Sequence, residues 1–206
     1  MQDPRHRNAR LDSSSISACI SDYAGKLSAA LSAVDAMAVD AACTAIMRAA
    51  AGKSRIYVAG NGGSAAIADH LCCDWTKGTN VPGHAVIRTH SLSANVALYS
   101  AIANDYGFEQ GFSTQVGFFG DQGDLLIAIS SSGNSENIIE AVRTAKAAGM
   151  IVIGMSGFSG GKLAAMADIS IHVAASNYGI VEDAHQAIMH VIAQFIAAQR
   201  DAVARP

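Results

Sequence analysis

The chain has 206 residues, 50% of them apolar and 15% charged, and a formal net charge of −3. That is enough apolar material for one well-cored domain, and it excludes the basic footprint of a nucleic-acid-binding protein. No apolar run approaches the roughly 20 residues of a membrane span, and the polar, basic start Met1–Arg10 lacks the apolar segment of a secretory signal, so the expected location is the cytoplasm.

Residues 1–12 carry Arg5, His6, Arg7 and Arg10 with nothing to bury, which predicts a flexible leader. From Ser13 the pattern changes: Ile16, Ile20, Tyr23, Leu27, Leu31 and Val34 recur at helical spacing behind a serine N-cap, predicting a helix to about Ala33. A second helix is expected over Asp35–Ala50, stopped by Gly52. Both are alanine-rich and poorly charged, so residues 13–52 are expected to pack against another subunit.

Residues 53–206 alternate apolar runs with helical stretches. Strands are expected at Ile56–Gly60, Ala85–Thr89, Leu125–Ser130, Ile151–Met155 and Ile169–Ala174. Helices are expected at about 65–80, 92–103, 108–119, 135–148, 160–166 and 180–202. Runs apolar on both faces, alternating with helices, predict an α/β fold: a three-layer αβα sandwich around a five-stranded parallel sheet, preceded by the N-terminal helices. Ligands of such sheets bind at the carboxyl ends of the strands.

Two strand-end loops carry the functional signal. After the first strand, Gly60-Asn61-Gly62-Gly63-Ser64 leads into a helix; glycines let backbone amides approach a ligand, and the helix N-terminus favours an anion such as phosphate. After the third, Ser130-Ser131-Ser132-Gly133-Asn134-Ser135 offers hydroxyls at another helix N-terminus. Together the loops would hold opposite ends of one phosphorylated ligand.

His70 and Asp74 lie four apart on the helix after the glycine loop, so they share a face suited to a cation or a reacting proton. The last helix carries Glu182, His185 and His190 in an otherwise apolar stretch. Glu182 and His190 are separated by roughly 12 Å of helical rise, and His185, one turn from Glu182, competes with His190 as a ligand. Cys19, Cys43, Cys72 and Cys73 have no zinc-type spacing and read as buried free thiols.

With these residues in view the chain resembles the sugar isomerase (SIS) domain family, and within it the phosphoheptose isomerase group, from about residue 16 to 200. The likeness rests on the two loops, on Ala103-Asn104-Asp105-Tyr106-Gly107-Phe108, on Gly160-Gly161-Lys162 and on the Glu182–His190 segment. It implies a flavodoxin-like sandwich and a homotetramer with sites at subunit boundaries. The implied reaction interconverts an aldose phosphate and a ketose phosphate, with sedoheptulose 7-phosphate as the group's substrate. Ser64, Ser130, Ser132 and Ser135 fall on its phosphate-binding positions, with Gly62 and Gly63 in the same loop, and Asn61, Asp105 and Ser131 on positions that meet the sugar. His70, Asp74, Glu182 and His190 fall on positions that bind zinc in some members, and the Asp74 and His190 positions also carry the base and acid roles. Glu182 is a second candidate for the base.

Three residues depart from the group's pattern. Asp74 stands where glutamate is usual, Glu182 where glutamine is usual, and Gly179 where an aspartate is expected. Two other function classes compete with the enzyme. A non-catalytic SIS module, sensing a sugar phosphate or scaffolding a protein, is disfavoured by Asp74, which such relatives lack. A dinucleotide oxidoreductase would match Gly60-x-Gly62-x-x-Ala65, but Arg88-Thr89-His90 at the end of the second strand supplies no acid for a ribose.

Overall fold

A computed structural model describes residues 8–204. Five strands, β1 (Arg55–Gly60), β2 (Arg88–Ser91), β3 (Leu125–Ser130), β4 (Ile151–Ser156) and β5 (Ile169–His172), form one parallel sheet in the order β2-β1-β3-β4-β5. Because strand side chains alternate, each strand feeds two cores. Ile56, Val58, Leu125, Ile127 and Ile129 enter the core on one face, and Tyr57, Ala59, Leu126 and Ala128 enter the other.

The first face is covered by α2 (Ala36–Ala51), α3 (Gly63–Cys73) and α8 (Tyr178–Ala204), with α1 (Ile16–Ser32) packed on α8. The second is covered by α4 (Val96–Tyr106), α5 (Ser113–Phe119), α6 (Glu136–Ala147) and α7 (Gly161–Met166). This is the expected three-layer α/β sandwich, with two helices ahead of β1. No single helix among the described residues is long and apolar enough to cross a membrane.

Side-chain caps start the first two helices. Ser15 Oγ accepts from Ala18 N at 3.0 Å, and Asp35 Oδ1 accepts from Met37 N at 2.9 Å. α1 is tied to α8 by the Tyr23 hydroxyl, which donates to Asp183 Oδ2 at 2.6 Å. Gly179 leaves room for that hydroxyl, since a Cβ there would come within 3.1 Å of it.

Several boundaries differ from the sequence expectations. The expected leader lies partly outside the described residues. From Asn8 onward the chain is held: Asn8 Oδ1 accepts from Tyr178 N at 2.8 Å, and Ala9 N donates to Ser176 O at 2.6 Å. β2 begins at Arg88, three residues later than expected, because Ala85 and Val86 are exposed and only Ile87 of that run enters the core. The helix expected at 65–80 ends at Cys73 and continues as a single π turn, Asp74–Gly78. The one expected at 108–119 is a 3-10 turn, Phe108–Gln110, followed by α5 after Gly111. Of the cysteines, Cys43 is buried, Cys19 and Cys72 are half-buried and Cys73 is exposed, so burial holds for Cys43 alone.

Candidate functional site

The strand order reverses direction between β1 and β3, and such a switch point opens a crevice at the carboxyl ends of the strands. Gly60 pairs with Ile129 in the register, so the glycine and serine loops emerge side by side. Gly62, at φ +54°, turns the chain into α3 with no side-chain cap, leaving the first amides of that helix to a ligand.

In the serine loop, Ser130 Oγ donates to Ser135 Oγ at 3.2 Å and Ser132 Oγ accepts from Asn134 N at 3.2 Å. Ser135 precedes α6 without capping it through its side chain, and the buried Ser131 Oγ has no hydrogen-bond partner among the described residues. The loop is braced by the Gly160-Gly161-Lys162 segment. Leu163 N donates to Gly133 O at 2.9 Å and Lys162 N to Asn134 Oδ1 at 3.1 Å.

The two loops are joined across the crevice by a reciprocal amide pair. Asn61 Nδ2 donates to Asn137 Oδ1 and Asn137 Nδ2 to Asn61 Oδ1, each at 2.9 Å, and Asn137 also donates to the Tyr99 hydroxyl at 3.1 Å. Beside the glycine loop lies a pocket of about 350 Å³ whose lining includes Asn61, Gly62, Ser93, Tyr99 and Phe108. Ser64, in the first turn of α3, is buried. Asp105 is exposed on the last turn of α4, its carboxylate accepting from Asn104 Nδ2 at 2.8 Å.

The candidate acid, base and metal residues lie along a polar seam between α3, with its π turn, and α8. His190 Nδ1 is 3.0 Å from Asp74 Oδ2, and His70 Nε2 is 3.5 Å from Asp74 Oδ1. The two imidazoles meet edge to face with centroids 4.9 Å apart. Ligand atoms of His70, Asp74 and His190 all lie within 4.8 Å of one another. The π turn sets Asp74 at this point, and it is anchored by Trp75, whose indole Nε1 donates to Met189 O at 3.0 Å.

Glu182 stands further up the seam, over the glycine loop: a Cβ at Gly63 would come 2.3 Å from its Oε2. Burial, and then the neighbouring Asp183, hold its carboxyl above the ordinary carboxylate range. His185 faces away, fully buried beneath β4, with Nε2 3.2 Å from Ser156 O. Desolvation pushes its pKa down to about 4. It is not one of the three ligands that converge, so of the two competing histidines only His190 reaches Asp74.

The SIS domain profile matches residues 22–157. The phosphoheptose isomerase of Rhodospirillum rubrum is 38% identical over 138 residues, which cover 67% of this chain and 73% of that one. The chain belongs to the SIS domain family, in its phosphoheptose isomerase group. Solved phosphoheptose isomerases superpose accordingly. The Neisseria gonorrhoeae structure has a TM-score of 0.78 at 30% identity, covering 89% of this chain and 97% of its own. The Francisella tularensis structure has a TM-score of 0.80 at 30% identity, covering 89% and 96%. This SIS protein is therefore a phosphosugar isomerase.

Sequence reasoning did not single out Ser93, Tyr99 and Asn137 around the candidate crevice, or Gln186, whose Nε2 lies 2.8 Å from His70 Nδ1 and 3.0 Å from His190 Nε2 in the seam. The signal for Gln186 was present, because positions 182, 186 and 190 form a helical stripe at intervals of four. For Tyr99 and Asn137, each an unremarkable residue within a helix, the sequence carries no comparable signal.

Proposed function

We propose that this phosphosugar isomerase interconverts sedoheptulose 7-phosphate and an aldoheptose 7-phosphate with the help of a divalent cation, as a cytoplasmic homotetramer. The observation that carries this reading is the convergence of His70, Asp74 and His190 on one seam, with two anion-type loops at its upper end. Gly63 and His70 are seven residues apart on α3, about 10 Å of helical rise, on the order of an extended phosphorylated sugar chain.

In this reading the amides after Gly62, with Ser64, Ser130, Ser132 and Ser135, hold the phosphate, while Asn61, Ser131 and Asp105 meet the sugar hydroxyls. Two imidazoles and a carboxylate within 4.8 Å of one another are donor types that Zn2+ takes, so these residues fit a divalent cation. When bound, such a cation supplies polarisation of the substrate's carbonyl and neighbouring hydroxyl. Asp74 takes the proton from carbon, with Glu182 as the second available carboxylate, and His190 moves the proton between the two oxygens. The raised Glu182 carboxyl is closer in basicity to a neutral-pH base, whereas Asp74 is closer to the acid.

The tetramer is supported by apolar surface on the helices outside the sheet. A groove of about 420 Å³ runs between α1, α2 and α8, lined by Leu31, Val34, Val39, Val191 and Phe195 among others. Val191 is 58% exposed and Phe195 42%, as expected of a face that a second copy covers.

The reading is tested by incubating the protein with phosphorylated ketoses of five, six and seven carbons and following aldose formation. Turnover is expected with the seven-carbon ketose. Turnover confined to the shorter ones would remove the substrate assignment while leaving the isomerase class intact.

A further inference from the structure

A second pocket, of about 600 Å³, lies at the β2 edge of the sheet, toward the strand ends opposite the crevice. Arg55 pairs with Arg88 in the parallel register and Tyr57 with His90, so these four side chains share one face and form its floor. The end of α5 makes a wall. The Tyr57 hydroxyl donates to Phe119 O at 2.5 Å, which holds Phe118 and Phe119 beside the floor. Phe118 is 62% exposed and Phe119 41%, so the wall presents bare aromatic surface.

Neither guanidinium is consumed by its neighbours. Arg55 Nη1 is 3.5 Å from Asp121 Oδ2, a pair of exposed side chains that contributes little. Arg88 Nη1 donates to Lys53 O at 3.4 Å and forms no ion pair among the described residues. In a chain of net charge −3, two guanidiniums on adjacent strands, about 5 Å apart at the backbone, reverse the sign locally. Two planar forks at that spacing suit an oxyanion with three oxygens to share, which a phosphate monoester has and a carboxylate lacks.

Two fixed amides complete the lining. Gln115 is buried and spends its amide protons on Leu92 O at 3.1 Å and Gly111 O at 2.8 Å, leaving Oε1 as an acceptor. Asn95 Oδ1 caps α4 by accepting from Leu98 N at 3.1 Å, leaving Nδ2 as a donor. One acceptor and one donor match the edge of a nucleobase. His90 lies two residues beyond Arg88, roughly 7 Å along the strand, on the order of the separation a ribose sets between phosphate and base.

We infer that this pocket binds a nucleoside monophosphate, its phosphate held by Arg55 and Arg88 and its base laid against Phe118. A cavity of this volume, with aromatic walls and a few placed polar groups, takes a ligand of that size. It shares no lining residue with the pocket beside the glycine loop.

The experiment is isothermal titration calorimetry of the full chain with AMP, GMP, CMP and UMP, with adenosine and inorganic phosphate as separate arms. At least one nucleotide is expected to bind, more tightly than adenosine or phosphate alone. Arg88→Gln is expected to weaken it by roughly 10- to 100-fold, the size of a lost charged hydrogen bond. Arg88→Lys, which keeps the charge without the fork, is expected to fall between. Phe118→Ala is expected to weaken it about 10-fold, as loss of stacking does. Both side chains are exposed and outside the crevice, so circular dichroism and isomerase turnover are expected to be unchanged. Failure of all the nucleotides to bind, or binding that survives both Arg88→Gln and Phe118→Ala, would overturn the inference. So would affinity that falls only with Ser132→Ala, which would place the nucleotide in the crevice. A lower oligomer mass for Phe118→Ala without nucleotide binding would give the face to a second copy instead.

Discussion

His190 Nδ1 meets Asp74 Oδ2 at 3.0 Å, across the seam between α8 and the π turn that follows α3. The two residues proposed as acid and base are thus brought together within a single chain, where both could reach one substrate.

Asp74→Asn keeps the size of the side chain and removes its charge. It is expected to lower kcat by about 100- to 10,000-fold, the usual contribution of a general base, while the melting temperature changes little. His190→Ala is expected to fall in the same range. Steady-state assays beside thermal melts check both, and near-normal kcat in either variant would discard that residue's role.

Gly133 is where the serine loop meets α7. At φ +66° a side chain is strained, and a Cβ would lie 2.0 Å from the Gly160 carbonyl oxygen, which belongs to the backbone and cannot swing aside. Gly133→Ala is expected to destabilise the protein by roughly 1–3 kcal/mol and to raise KM for the phosphorylated substrate as the loop is displaced. Denaturant unfolding and initial-rate measurements read the two effects separately.

His185 makes stability depend on pH. Its folded-state pKa is pushed down to about 4 by burial, with His172 contributing slightly and the Ser156 carbonyl opposing, whereas in the unfolded chain it titrates near 6.5. The unfolded chain therefore binds more protons between those values, and stability is lost as pH falls from about 6.5 to 4. The loss is roughly 3 kcal/mol over that window. His185→Gln is expected to flatten that part of the profile whatever it does to absolute stability. Melts at intervals from pH 7.5 to 4 check it, and an unchanged slope would contradict the account.

The proposed tetramer, with the groove between α2 and α8 as its interface, makes a prediction of its own. Phe195→Glu adds a charge to an exposed apolar position outside the candidate site and is expected to lower the oligomer mass measured by light scattering. A tetramer that persists unchanged would exclude this face as the interface.

Much of this architecture was legible in the sequence because its signals are local. β3 is bounded as expected, since Leu125–Ser130 is apolar on both faces and ends in a serine run. The two loops announce themselves by composition, and the parallel order places them together. The edge strand β2 was harder to place: an edge is half-exposed, so hydrophobicity does not mark its register, which pairing with β1 sets instead. The π turn at Asp74 was not legible either, because it depends on Trp75 docking under α8. For the same reason the contact between Gln186 and His70, 116 residues apart in the chain, is visible only once the two helices are side by side.

The most direct measurement follows conversion of sedoheptulose 7-phosphate by the protein after exhaustive chelation, and again as Zn2+ is returned in increments. The account predicts that turnover is lost on chelation and restored in full at one ion per subunit, with no restoration in the Asp74→Asn variant. Undiminished turnover by the chelated protein would contradict it.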